Sequence, residues 1–333
     1  MEKKKFDWKK ITGSREMSLV IVLIVLCVFV QIRNSSFLTA VTLEDMFRNY
    51  AVTFILALGM MCVLLTGGID ISIGSTLAFS GMAAGLIMRD YMIATPLSFL
   101  ISMAIGAGLG LVVGLVITKG KVPPIVCTLG FMNIYRGLTY LIAKSQWVAA
   151  YQFTDSFKNF ALTKYLGFGL VNNMIAVTIY CYIIFYVVMK WTTVGRRVYA
   201  VGSNPEAAAV SGINIGNVKI GVYTLMGFLC GLGGALWTSL YKSAQGDMAT
   251  GIEMDVIAAC VVGGVSLTGG RGSVTGVFLG SLAIAIIGKA LPLIGVSQFW
   301  QNAIKGLIIL VAVVLNVLAQ RTMDKNNLKR REM

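Results

Sequence analysis

Two ionisable side chains stand where the chain is otherwise apolar, and a charge in such surroundings needs a reason. Asp70 is the only charged residue between Asn49 and Met88. A carboxylate at the centre of a membrane helix costs on the order of 2.5 to 3.5 kcal/mol on insertion scales, and less near the membrane surface. Gly67 and Gly68 predict a turn just before it. Asp70 therefore reads either as a cap for the following helix, assisted by Ser72, or, with Thr66 and Ser72, as a gate or coupling contact at the inner mouth of a pathway. Arg136 falls inside an apolar run, between Asn133 and Tyr140. It is expected to face protein rather than lipid, either paired with a carboxylate or with backbone carbonyls, or lining a pathway beside Asn133.

Much other chemistry is missing. The chain has no histidine, which excludes triads, metal sites and proton relays built on imidazole. Its six cysteines, Cys27, Cys62, Cys127, Cys181, Cys230 and Cys260, all lie in apolar stretches without paired spacing and read as small buried hydrophobes. No metal site and no catalytic residue is expected. Ser80 and Gly81 resemble a fragment used by membrane-embedded hydrolases, but a serine nucleophile would here lack its usual base. No segment has the spacing of a phosphate-binding P-loop, and the Gly-rich stretch from Thr268 to Ser273 lacks the lysine.

The elements that must position these residues are membrane helices. Hydrophobic residues make up 57% of the chain and charged residues 13%, with a mean hydropathy of +0.81, more than one soluble core could hide. Apolar runs recur near 17–32, 49–66, 71–88, 95–118, 124–143, 171–190, 219–240, 254–268, 273–292 and 302–319. Since a bilayer takes about 20 apolar residues per helix, the expected fold is an all-α integral membrane protein of about ten transmembrane helices. The eighth run is short and Gly-rich, as a broken or re-entrant segment would be. The first follows a basic stretch, but no small-residue cleavage site follows it, so it reads as a retained helix.

Net charge is +14, and its placement orients the chain in the lipid bilayer rather than pointing to nucleic acid. Counting from a cytoplasmic amino terminus, the inner segments receive most of the 28 lysines and arginines, including Lys3, Lys9, Lys119, Lys190, Arg197, Arg271 and Lys325. Both termini are thus expected in the cytoplasm. The organisation is a basic tail at 1–16, a transmembrane unit at 17–320 with an inner loop at about 190–219, and a basic tail at 321–333. The longest outer loop, about 144–170, has Trp147, Tyr151, Phe153 and Tyr165, as either an interfacial cap or a plain aromatic belt would. Gly106, Gly110 and Gly114, like Gly227, Gly231 and Gly234, place small residues along one side of a helix and predict close packing. Leu65-Thr66-Gly67-Gly68 recurs as Leu267-Thr268-Gly269-Gly270, a match consistent with two structural halves.

The inner loop is polar but not featureless. Asn204 suits a cap, Pro205 a first turn, Glu206 the positive end of a helix, and Gly212 a stop. A short helix from Glu206 to about Ser211 follows, expected to lie parallel to the membrane against a basic strip of Arg196 and Arg197. Glu206-Ala207-Ala208, three residues, then Gly212 resembles the Glu-Ala-Ala loop of bacterial ABC importer permeases, although the hydrophobic and proline end of that pattern is missing. Thr66 to Ser75, Gly120 to Pro124, Val194 to Ala200 and Ser266 to Ser273 are similar to the ribose, xylose, arabinose and galactoside permeases, a likeness running from about 45 to 320.

The resemblance implies a permease of the bacterial inner membrane, translocating a monosaccharide or related small polyol. Arg197, Asn204, Glu206, Ala207, Ala208 and Gly212 would then couple to a separate ATP-binding subunit holding ATP and Mg. A periplasmic or extracellular sugar-binding protein and a second permease copy, identical or paralogous, would complete the assembly, and this chain would bind no cofactor itself. The rival reading is an ion-coupled secondary transporter, which needs intramembrane acids, and only Asp70 is available in the first three runs. Which sugar is carried stays open among pentoses, 6-deoxyhexoses, galactosides and a ribose-like signalling molecule.

Overall fold

The computed structural model describes residues 15–165 and 171–297, together with scattered positions from 300 to 314. Both basic tails, apart from the first helix's own start, and much of the run at 302–319 lie outside the described residues. What is described is helical: α1 Arg15–Arg33, α2 Ala40–Leu65, α3 Ile73–Tyr91, α4 Thr95–Lys119, α5 Pro124–Ile142, α6 Asp155–Phe160, α7 Asn173–Trp191, α8 Thr193–Ser203, α9 Pro205–Val210, α10 Ile215–Tyr241, α11 Ile252–Val262 and α12 Val274–Leu293. Among the described residues no named strand occurs, and two isolated bridges, Val148 with Ala244 and Lys164 with Asn172, tie loops together.

Six helices, α2, α4, α5, α7, α10 and α12, are long and apolar enough to cross a membrane. The apolar window of α2 is 83% buried, against 22% for α5 and for α7, so α2 forms the centre and the other two the periphery. That ranking explains why the stretch from Phe54 to Leu65 is apolar on every side: protein surrounds it. α11 has 11 residues, about 16 Å of helix, half of a bilayer core. Gly263 caps it and Gly264 turns away at φ +90°. The eighth run is indeed broken, and a non-helical segment leads from it into α12.

The two glycine stripes meet each other. A Cβ on Gly106 would overlap the Gly227 carbonyl oxygen and lie 2.7 Å from the Gly231 nitrogen, and one on Gly110 would stand 3.0 Å from Gly227 Cα. Gly234 continues the row against α3, where its Cβ would be 2.6 Å from the Leu77 oxygen and 2.9 Å from the Gly81 nitrogen. Ser102 Oγ donates to the Gly231 carbonyl at 2.7 Å across the α4–α10 contact. Backbones this close gain dispersion contacts that lipid tails do not replace.

The loop at about 144–170 divides its described aromatics between two roles. Phe153 and Phe157 turn inward and pack with Phe99 and Phe160, at ring separations of 4.9 to 5.9 Å. Ser239 Oγ accepts from Ala161 N and donates to Phe157 O, fixing α6 on α10. Trp147 and Tyr151 remain exposed. The loop is therefore a packed cap, and only part of it has the character of an aromatic belt.

Candidate functional site

The loop at about 190–219 contains two helices, α8 and α9, where one is expected from the sequence. Thr192 caps α8 by accepting from Gly195 N at 3.4 Å, and Val198 and Val201 are buried on one side while Arg196 and Arg197 stay exposed on the other. The spacing of Val194, Val198 and Val201 against two arginines is an amphipathic signal legible in the sequence. α9 follows as expected. Asn204 accepts from Ala207 N at 3.0 Å, Pro205 occupies the first turn, and Gly212 stops the helix at φ +80°, with Ile213 N bonded to Ala208 O at 3.0 Å. The basic strip does not hold α9. Arg196 instead donates to Trp191 O at 3.4 Å, and Arg197 lines an apolar cavity between α7, α8 and α10. Ala208 is buried beneath α9, whereas Glu206, Ala207, Ala209 and Val210 face outward, Val210 with 91% of its surface exposed.

The end of α8 sits on both copies of the repeated Leu-Thr-Gly-Gly segment. Gly270 N donates to Leu65 O at 3.0 Å, joining the two copies directly. A Cβ on Gly202 would overlap that Leu65 oxygen and lie 2.7 Å from Gly270 N. Tyr199 Oη donates to Gly272 O at 2.9 Å and Ser203 Oγ to Gly270 O at 3.5 Å. Gly67, Gly269 and Gly270 all have positive φ, which lets both segments turn beneath α8. The module α8–α9 thus has a backbone-tight seat on the end of α2 and on the segment entering α12.

Beyond the seat the chain runs inward. Asp70 is buried among protein, and its carboxylate accepts from Ser72 N at 2.9 Å and Ser72 Oγ at 2.6 Å. Ser72 itself is the residue before α3 and makes no side-chain cap, so Asp70 organises a turn ahead of the helix rather than capping it. Thr66 is buried and donates its hydroxyl to Val63 O at 2.9 Å. Thr128 of α5 and Tyr223 of α10 donate to Ile69 O at 3.4 and 3.5 Å, so the turn is held from two further helices. Burial pushes the Asp70 carboxyl up to about 6 despite the two Ser72 donors, which favour the charged form. The folded protein therefore binds this proton more tightly than the unfolded chain, and the stability it contributes is lost as pH rises through about 6. Asp70→Asn is expected to flatten this dependence: between pH 5 and 7.5 the wild type loses about 1 kcal/mol more than the variant. Thermal unfolding in detergent at the two pH values checks this.

Arg136 and Asn133 do not join this turn. Arg136 Nη1 donates to Gly246 O at 2.8 Å and Met248 O at 2.9 Å, so it pairs with backbone carbonyls of the loop between α10 and α11. Asn133 is exposed and bonds within its own helix, to Leu129 O at 3.0 Å. The five residues Thr66, Asp70, Ser72, Asn133 and Arg136 thus fall in three separate places: the turn before α3, the exposed side of α5, and the contact of α5 with the loop between α10 and α11. A cluster absent from the sequence reading is Asp45 of α2, which pairs with both Arg48 and Lys289 of α12. A lysine inside the ninth apolar run was its signal, since such a charge needs a partner. All six cysteines are free thiols, four of them buried.

Over residues 42–313 the chain matches the family model described as branched-chain amino acid transport system / permease component. It is 39% identical over 296 residues to the ribose import permease protein RbsC of Bacillus subtilis (strain 168), covering 88% of this chain and 90% of that one. To RbsC of Escherichia coli (strain K12) it is 35% identical over 304 residues, 90% and 93% of the two chains. The galactose/methyl galactoside import permease protein MglC of the same strain is 34% identical over 325 residues, covering 92% and 96%. No solved structure matches. With that model matching most of its length and relatives of this identity covering nine-tenths of it, the chain belongs to the branched-chain amino acid transport system permease family.

Proposed function

We propose that this chain is the permease subunit of an ATP-binding cassette importer and carries a monosaccharide across the bacterial inner membrane. The single observation that carries the coupling is the α8–α9 module: its outward face is bare, and its inward end is seated on backbone at Gly202. A partner pressing on Glu206, Ala207 and Val210 moves α8, and α8 cannot move without the ends of α2 and the segment before α12. The turn holding Asp70 is continuous with the first of these, so force reaches α5 and α10 through Ile69.

ATP and Mg belong to the separate subunit, and a sugar-binding protein delivers the substrate outside. Charge placement supports ten spans with both termini in the cytoplasm. A second permease copy is supported by α5, where Gly130, Asn133 and Gly137 form an outward face and both glycines have open space beyond them. The family description names branched-chain amino acids, whereas the relatives above are named for ribose and galactosides, which favours a sugar.

Reconstitution with the ATP-binding subunit and a binding protein tests this. Vanadate-sensitive ATP hydrolysis should accompany uptake of ribose or galactose. Uptake of leucine alone would move the substrate to the family's own name, and uptake driven by an ion gradient without ATP would overturn the importer. Gly212→Val, strained at positive φ, and Glu206→Lys, which reverses a favourable charge at the helix start, should both insert normally yet lose uptake and release the ATP-binding subunit on purification.

A further inference from the structure

The end of the bundle opposite the coupling module holds a cleft of a different chemistry. Tyr50 lies about 22 Å up α2 from Leu65, and Trp237 about 33 Å up α10 from Ile215, at 1.5 Å per residue. Between them opens a cavity of about 690 Å³ walled by Asn49, Tyr50 and Thr53 of α2, Trp237 and Tyr241 of α10, and Asp255 of α11. A second hollow of about 420 Å³ continues it past Trp237 and Tyr241. Both volumes fall in the roughly 300 to 1,000 Å³ range of small-molecule sites.

The Trp237 and Tyr241 rings lie 4.9 Å apart and tilted by 43°. Aromatics of a membrane belt stand among lipid-facing aliphatic side chains. Here they share a wall with an amide, a hydroxyl and a carboxylate. A sugar ring presents an apolar C–H face and a rim of hydroxyls, which matches aromatic faces beside short polar side chains. Among the described lining residues there is no lysine or arginine to receive an amino acid's carboxylate, whereas amide and hydroxyl groups pair with the hydroxyls of a sugar.

We propose that this cleft is the outer subsite at which a neutral aldose rests on entering the permease, with Trp237 as its stacking platform. The assignment rests on the importer reading above. The loop that Arg136 holds at Gly246 and Met248 continues into Ala249 and Thr250, so Arg136 fixes one wall of the cleft.

Thr250 is exposed and lines both hollows, so Thr250→Cys supplies a reporter. In the assembled complex in nanodiscs, labelling by a charged methanethiosulfonate, corrected for the wild-type thiols, should slow at least threefold in about 100 mM D-ribose or D-galactose, saturating for a site tighter than roughly 10 mM. The same concentration of L-leucine should not slow it. Trp237→Ala added to Thr250→Cys should remove the protection, while Trp237→Phe should keep most of it. Equal rates in sugar and leucine, or protection that survives Trp237→Ala, would overturn the subsite. Should Trp237→Ala not accumulate in membranes, protection in the otherwise unaltered Thr250→Cys complex decides the matter. A complex that imports sugar without protection sinks the cleft alone, whereas one that imports no sugar sinks the importer reading.

Discussion

Gly202→Ala is expected to lower sugar uptake at least tenfold while the protein still reaches the membrane in near-normal amount. The added methyl would overlap the Leu65 carbonyl oxygen and press on Gly270 N at 2.7 Å. Both neighbours are backbone, so neither can rotate away as a flexible side chain would. The end of α8 must lift, and its bonds from Tyr199 to Gly272 and from Ser203 to Gly270 lengthen or break. Since α8 and α9 form a loop outside the apolar spans, lifting them leaves the helical bundle intact. ATP hydrolysis by the assembled complex should persist without transport, the signature of lost coupling. Uptake per ATP hydrolysed, measured in proteoliposomes, checks this, and wild-type coupling in Gly202→Ala would mean that the seat transmits no force.

Arg136→Ala should act on folding. Its guanidinium is the shared donor for two carbonyls, and removing it leaves Gly246 O and Met248 O without that donor in a half-buried site. Each unmet buried acceptor costs about 1 to 3 kcal/mol, and hydrogen bonds to charged groups are worth about 1.5 to 3. A loss of roughly 2 to 5 kcal/mol is expected, a large share of the stability of an ordinary domain. Membrane-inserted protein should fall several-fold, with the loop from 242 to 251 the first segment to open to protease. Arg136→Lys should recover part of this, since an ammonium can also donate to two oxygens but from a shorter stem. Accumulation of Arg136→Ala at wild-type level would show that the two carbonyls find other partners.

Much of the fold was legible because its causes are local. Each of the first nine apolar runs matches a helix within a few residues, except where α2 begins earlier and α11 stops short. Its glycines made the eighth run legible as broken. The α9 helix was readable from Asn204, Pro205 and Gly212, since capping, a fixed φ and a left-handed stop act within one turn. Neighbouring α8 is marked by Thr192 and the valine spacing, but two adjacent arginines and a low apolar content weaken that pattern in the sequence. Asp70 stands out in the sequence as a lone charge, but the protein packed around it does not: helices distant in the chain, α5 and α10, hold its turn through Ile69.

By itself the sequence determined the solvent of this protein, its succession of apolar helices, the short capped helix of its inner loop and the presence of two close-packing glycine stripes. Only the tertiary structure decided partners. It set the two stripes against each other, brought the repeated Leu-Thr-Gly-Gly segments together under Gly202, joined Asp45 to Lys289 across 244 positions, and gave Arg136 two carbonyls more than a hundred residues away. Hydropathy and capping are settled by a residue's immediate neighbours. Which surfaces meet depends on backbones fitting within van der Waals contact, a condition shared between distant segments and written in neither of them alone.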